Sequence, residues 1–291
     1  MRHFLLIFLF ALYCSNIKAQ TLEVFEDSMR GTFKKQTNLI TGVNSSEFAF
    51  QETMVSPLIY RGTGIGLQIG FEKNKLNKIT YCNINWTKAK MNNLLQPKQY
   101  NAELTNFNTS VGVCYRASKM TFPHYSNFLG WQLAQHSDFR RISQFQNASL
   151  SYNFSVTLAP VYRAKGYYNL KENPKRKLLK KGINLDWSYQ IAFPLAALIA
   201  RPNFNAIRIL HDGNGNIYQN SITEEVIQNF SFYTLNKLIA LDQQFEVQYA
   251  LNSNNKMALQ FKWYFEYFDK THFAYTTSNS GVYLCFYTQL N

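Results

Sequence analysis

Negative charge is the first thing this chain is short of. It carries 17 Asp and Glu against 30 Lys and Arg, a net charge of +13, and charged residues make up only 16% of it. Soluble domains run near 25%, and a soluble sheet needs that charge on its wet face. Cysteine is sparse as well. Beyond Cys14 there are only Cys82, Cys114 and Cys285, an odd set without close spacing, which argues against a disulfide framework or a cysteine-based metal site. Long apolar runs are missing. After Ala19 the densest is Leu195–Ala200, bracketed by Pro194 and Pro202, far short of the ~20 residues that a membrane-spanning helix needs.

Aromatic residues, in contrast, reach 16%, with 19 Tyr and 24 Phe, and they alternate. From Asn147 to Tyr162 the even positions are Ala148, Leu150, Tyr152, Phe154, Val156, Leu158, Pro160 and Tyr162. The odd positions are Asn147, Ser149, Ser151, Asn153, Ser155, Thr157 and Ala159. One face is apolar; the other is small, polar and uncharged. A strand tilted across a bilayer needs about 9–11 residues in the hydrocarbon, apolar toward lipid and polar toward a lumen. The odd face therefore predicts lumen-facing Asn147, Ser149, Ser151, Asn153 and Ser155. The same period recurs at Ile65–Phe71, Thr105–Tyr115, Leu129–Ala134, Ile183–Phe193, Phe245–Leu251, Met257–Phe265 and Val282–Leu290.

These repeats predict an all-β protein, a transmembrane antiparallel up-and-down β-barrel of about 12 strands, with 10 as second choice. The count turns on residues 194–244. There Asp212-Gly213-Asn214-Gly215 predicts a hairpin between Ile207–His211 and Asn216–Ile222, and Asn236-Lys237 a second one. With both termini periplasmic, short turns fall near Arg140–Gln146, Ala200–Asn203 and Asn252–Asn255. Longer loops then fall outside at Ser118–Ser126, Arg163–Leu179 and Asp269–Asn279. A three-residue turn at Ser253–Asn255 sets lumen-facing Glu246 opposite Lys262.

Targeting agrees with that address. Met1-Arg2-His3 is a basic start, Phe4–Tyr13 an apolar stretch, and Ser15–Ala19 a cleavage region, so residues 1–19 read as a signal peptide. Residues 20–55 show no convincing alternation and are expected as a periplasmic or lumenal segment before a barrel spanning 56–291. Three features together resemble the uncharacterised outer-membrane β-barrels of Bacteroidetes. They are the ending Ile17-Lys18-Ala19-Gln20, Ser56-Pro57-Leu58 leading into a glycine-alternating strand, and strands rich in Tyr, Phe and Asn. The resemblance implies the outer membrane and carries over no catalytic or binding residue.

The excess positive charge is concentrated. Arg163, Lys165, Lys171, Lys175, Arg176, Lys177, Lys180 and Lys181 lie close together with Glu172 the only acid among them. They predict a basic extracellular loop drawn to lipopolysaccharide phosphates. Stacking aromatics are not interleaved with them, so nucleic acid is no partner. One enzymatic alternative arises. His124-Tyr125-Ser126-Asn127 has the His-x-Ser-Asn form of outer-membrane lipid hydrolases (phospholipases and lipid A deacylases), with Asp138 as the third member. On one continuous strand, however, Ser126 and Asp138 stand roughly 40 Å apart, whereas a triad needs contact at about 3 Å. His211 beside Asp212 predicts surface and not a metal site.

The expectation is thus a non-enzymatic barrel, a narrow pore or a surface binding or assembly component. It needs no cofactor and no metal. Outer-membrane lipid, lipopolysaccharide and a small solute or protein are its partners. A lipid hydrolase is the alternative, and a soluble exported β-protein is disfavoured by long strands with uncharged wet faces.

Overall fold

The computed structural model describes residues 36–52, 56–75, 77–93, 101–117, 125–142, 150–170, 183–200, 210–211, 217–218, 230–268 and 274–290. Strands β1 (Gln36–Glu52), β2 (Ser56–Lys75), β3 (Lys78–Asn93), β4 (Asn101–Arg116), β5 (Tyr125–Ile142) and β6 (Leu150–Leu170) pair in chain order, each antiparallel to the next. The second half comprises β7 (Ile183–Ala192), β8 (Ala196–Ala200), β9 (Leu210–His211), β10 (Ile217–Tyr218), β11 (Phe230–Thr234), β12 (Leu238–Ala250), β13 (Asn255–Phe268) and β14 (Tyr275–Leu290).

Pairing of β14 with β1 closes the ring. It is a closed antiparallel barrel of ten strands, β1–β6, β7, β12, β13 and β14, with β8 and β11 extending the same sheet. The expected twelve are reached only as segments of this sheet. β6 pairs with both β7 and β8, so these two halves form one wall strand broken at Phe193-Pro194-Leu195. The break is a bulge: Val161 faces Ala192 and Leu158 faces Ala196, leaving two residues of β6 against three. Opposite it, β11 and β12 run in the same direction along β8 and β7, separated by a turn in which Lys237 N–H bonds Thr234 O. Asn236-Lys237 therefore turns the chain without adding a wall strand. The hairpin expected around Asp212–Gly215 survives as the pair β9–β10, apart from the wall.

Ladder pairs can be followed once around the ring from Phe154 through Ser137, Phe107, Trp86, Leu67, Val43, Leu284, Leu259, Val247 and Trp187. The path returns to β6 at Gly166, twelve residues further on. That offset of about 40 Å over ten strands some 4.8 Å apart implies a strand tilt of about 40°, within the usual 35–45° for barrels.

Two expectations need correction. Residues 36–52 do not precede the barrel; they are its first strand, hydrogen-bonded to β2 and β14. Each strand switches the chain from one end to the other, so this strand reverses the assignment of several loops. Leu170 pairs with Ile183 at the end where β1 begins and β14 finishes, called here the terminal end. The segment 171–182 therefore leaves on the side of the termini and not opposite them. The Leu251–Asn254 turn lies at that same end, while residues 143–149, 201–229 and 269–274 leave the far end. Residues 1–35, with the expected signal peptide, lie outside the described residues.

The outer face is apolar. Ile65, Leu67, Ile69, Trp86, Val111, Trp131, Leu133, Leu259 and Leu284 are all exposed, and their sequence neighbours point inward and are buried or half-buried. A soluble protein would hide such a belt. In lipid it is favourable, because the ten-stranded ring closes on itself through β1 and β14. No helix among the described residues is long and apolar enough to cross a membrane.

Candidate functional site: a bridged lumen

The interior is lined by polar and charged side chains that reach across it. Near the terminal end Glu72 of β2 accepts from Arg163 Nη2 at 2.5 Å and Lys165 Nζ at 2.7 Å, both from β6 on the opposite wall. Asn74 Nδ2 donates to the same carboxylate at 2.8 Å, and Lys165 also donates to Asn74 Oδ1. To one side Lys256 bonds Asp186 at 2.7 Å. A recess of about 40 Å³ lies between these pairs, lined among others by Glu72, Lys165, Asp186 and Lys256.

A second tier crosses the middle. Tyr81 OH donates to Gln132 Oε1 at 2.7 Å, and Gln190 Nε2 donates to both. Gln132 Nε2 reaches Asp242 Oδ2 at 3.0 Å. The glycine opposite makes room. A Cβ on Gly112 would lie 2.3 Å from the Tyr81 ring. Lys262 Nζ donates to Gln68 Oε1 at 3.0 Å, and Tyr287 OH to Glu246 Oε2 at 2.5 Å. Toward the far end the His136 ring stacks on Tyr264 from across the barrel, centroids 3.9 Å apart. Asp138 accepts from Asn106, Tyr275 and Arg140, and the Arg140 guanidinium sits 4.2 Å from the Phe50 ring centroid.

Ser151, Asn153, Ser155 and Glu246 are buried on this inner face, and Lys262 reaches inward to Gln68. Asn147 and Ser149 lie outside the described residues. Glu246 is not opposite Lys262. It pairs with Gln260, and Lys262 pairs with Gln244. The cause is a turn centred one residue earlier, in which Leu251 N–H bonds Asn255 O and Asn252 Oδ1 accepts from the backbone of Asn254 and Asn255.

Arg163 and Lys165 do not belong to a surface loop. Both sit in β6 and point at Glu72, Arg163 almost wholly buried. Lys171, Lys175, Arg176, Lys177, Lys180 and Lys181 lie outside the described residues. Gln132 and Gln190 stand on the polar faces of their alternating strands in the sequence, but Glu72, Tyr81 and Asp242 were missed by sequence reasoning. For Glu72 a signal existed: it is the one acid on the glycine-rich face that alternates with Ile65, Leu67, Ile69 and Phe71.

The hydrolase alternative is not supported by the geometry. Ser126 and Asp138 lie on the single strand β5, twelve residues apart, roughly 40 Å. Ser126 Oγ is buried without a hydrogen-bond partner among the described residues, and Asp138 is engaged by Arg140 and Tyr275. His124 lies outside the described residues. Among those residues no group of three His, Cys, Asp or Glu is placed to hold a metal ion.

No family model matches the chain, and no curated protein matches it. Solved structures do resemble it. The outer membrane protease OmpT from Escherichia coli aligns over 88% of this chain and 97% of its own, with 7% identity and a TM-score of 0.45. The transport unit of the autotransporter AIDA-I from Escherichia coli covers 88% and 91%, with 9% identity and a TM-score of 0.42. For the Pseudomonas putida toluene transporter TodX the figures are 91% and 92%, 7% and 0.34. At these identities and TM-scores the activities of those proteins do not transfer to this chain.

Proposed function

We propose that the chain is a non-enzymatic outer-membrane β-barrel, a narrow pore that its own side chains hold shut in this conformation. The observation that carries the reading is the Glu72 carboxylate clamped across the lumen by Arg163 and Lys165. Ionisable groups inside a membrane-spanning wall are costly and serve a purpose beyond packing. Apolar residues would fill the same space at no loss of stability. The polar inner face and apolar outer face support residence in a bilayer. The longest connection, residues 201–229, leaves the far end, whereas the terminal end carries the two-residue connection between Lys75 and Lys78, the Leu251–Asn254 turn and the shorter connection 171–182. Long connections outside and short ones inside are the rule for such barrels, which orients the termini toward the periplasm.

The test is conductance of the refolded mature chain in a planar bilayer, beside a Glu72→Ala, Asp138→Ala variant. The wild type is expected to be silent or to open briefly, and the variant to conduct more often. A wild type with large steady steps would contradict a shut lumen. A variant as silent as the wild type would contradict a pore and favour the surface binding or assembly component.

A further inference from the structure

On the outer wall at the far end, four cations gather on neighbouring strands. Arg61 of β2, Lys88 and Lys90 of β3 and Arg141 of β5 are all exposed on the lipid-facing side. The ladder fixes their proximity: Thr63 pairs with Lys90, Lys90 with Glu103, and Glu103 with Arg141. Two acids share this patch among the described residues, Glu103 of β4 and Glu47 of β1, which pairs with Thr63 and is exposed on the same face, so the four cations remain in excess. Arg61, Lys90 and Arg141 make no ion pair there, and the Lys88 ammonium lies 5.4 Å from the Trp86 ring centroid. Just toward the barrel middle the same face turns apolar, with Ile65, Trp86 and Phe139 exposed.

From β2 to β5 is three strand spacings, about 14 Å, wider than a single phosphate. A solvated loop could carry such charge for solubility alone. These residues instead sit on rigid wall strands, at the height where the apolar belt ends and headgroups begin. Desolvated acyl chains beside fixed cations select an amphiphile whose head is anionic at more than one point. We infer that this patch binds the phosphates of a multiply phosphorylated glycolipid in the outer leaflet, through Arg61, Lys88, Lys90 and Arg141. The inference rests on the barrel and its orientation as proposed above.

The full mature chain would be refolded into phosphatidylcholine nanodiscs doped with diphosphorylated or phosphate-free lipid A. Lipid retained on the released barrel would be read by native mass spectrometry. Retention of the diphosphorylated form is expected to exceed that of the phosphate-free form. R61Q/K88Q/K90Q/R141Q should lower it about tenfold or more, and K73Q/K75Q/K78Q at the other rim should leave it unchanged. Equal retention of the two lipids, or no loss in the quadruple variant, would overturn the inference while leaving the barrel intact. Should the quadruple variant not fold, R61Q and K90Q singly are expected to show partial loss, and no loss in either would overturn it. A wild type that fails to insert at all would overturn the barrel reading and this one together.

Discussion

Lys78 and Lys88 stand on the same outer face of β3, ten positions apart, each with its ammonium over an aromatic ring. Lys78 lies 5.2 Å from the Tyr115 centroid and Lys88 5.4 Å from that of Trp86. At a tilt of about 40° those ten residues span about 25 Å along the barrel axis, the height of the apolar band in barrels of this kind. The two cation–aromatic pairs therefore mark the two rims of the belt. Leu67→Arg, placed within the belt, is expected to destabilise the inserted barrel by about 2–4 kcal/mol, and Thr80→Arg near the rim by no more than about 1. Urea unfolding in lipid vesicles measures both.

The Glu72 clamp yields a second expectation. Glu72→Gln leaves two buried cations short of their partner and should cost about 3–5 kcal/mol. Glu72→Gln with Arg163→Met removes both sides of the closer pair and should cost less than the single change. A double-variant loss equal to the sum of the Glu72→Gln and Arg163→Met losses would mean that the two groups are not coupled.

Gly112 is expected to tolerate no side chain while Tyr81 crosses the lumen. Gly112→Val should cost about 1–3 kcal/mol through overpacking. Adding Tyr81→Ala should recover part of the loss, as read from the unfolding midpoint.

The paired interruption of the wall should be its softest part. Residues 235–241 have no ladder partner on the β7–β8 strand, whose own Phe193 and Leu195 amides bond Pro160 O and Leu158 O of β6 instead. Deuterium exchange there is expected to outpace that of Val247–Tyr249, which are paired on both sides.

Ser126→Ala is expected to leave phospholipid and lipid A hydrolysis at the level of the unaltered protein. A loss confined to this variant would restore the hydrolase alternative.

The strands visible in the sequence were those whose two faces differ cleanly. Leu129, Trp131 and Leu133 against Gln132 and Ala134 are legible because lipid and lumen demand different chemistry. Strand β1 was not, because both its faces are mixed. Ile40, Phe48 and Phe50 point inward, where Phe50 stacks on Tyr60 and supports Arg140, while Thr41, Ser45 and Glu47 point outward. The overcount has a related cause. Pro194 and the Thr234–Lys237 turn each cut one wall strand into two stretches that look separate in a sequence. Cross-lumen partners such as Glu72 and Arg163 were beyond reach, since their meeting depends on the ring offset and not on local pattern. Local spacing also misled at Glu246, where the side chain of Asn252, accepting from Asn254 and Asn255, centres the turn one residue earlier.

The register between β1 and β14, from Thr37 opposite Leu290 to Glu52 opposite Tyr275, bears on the order of events during synthesis. The seam that completes the wall joins the earliest strand to the latest. A chain ended before Tyr275 could not settle into a smaller version of the same barrel, because β1 and β13 would each keep an open edge in a medium that offers no hydrogen bonds. Closure must therefore wait for the final strand, and commitment to the membrane becomes a single late step instead of a gradual one.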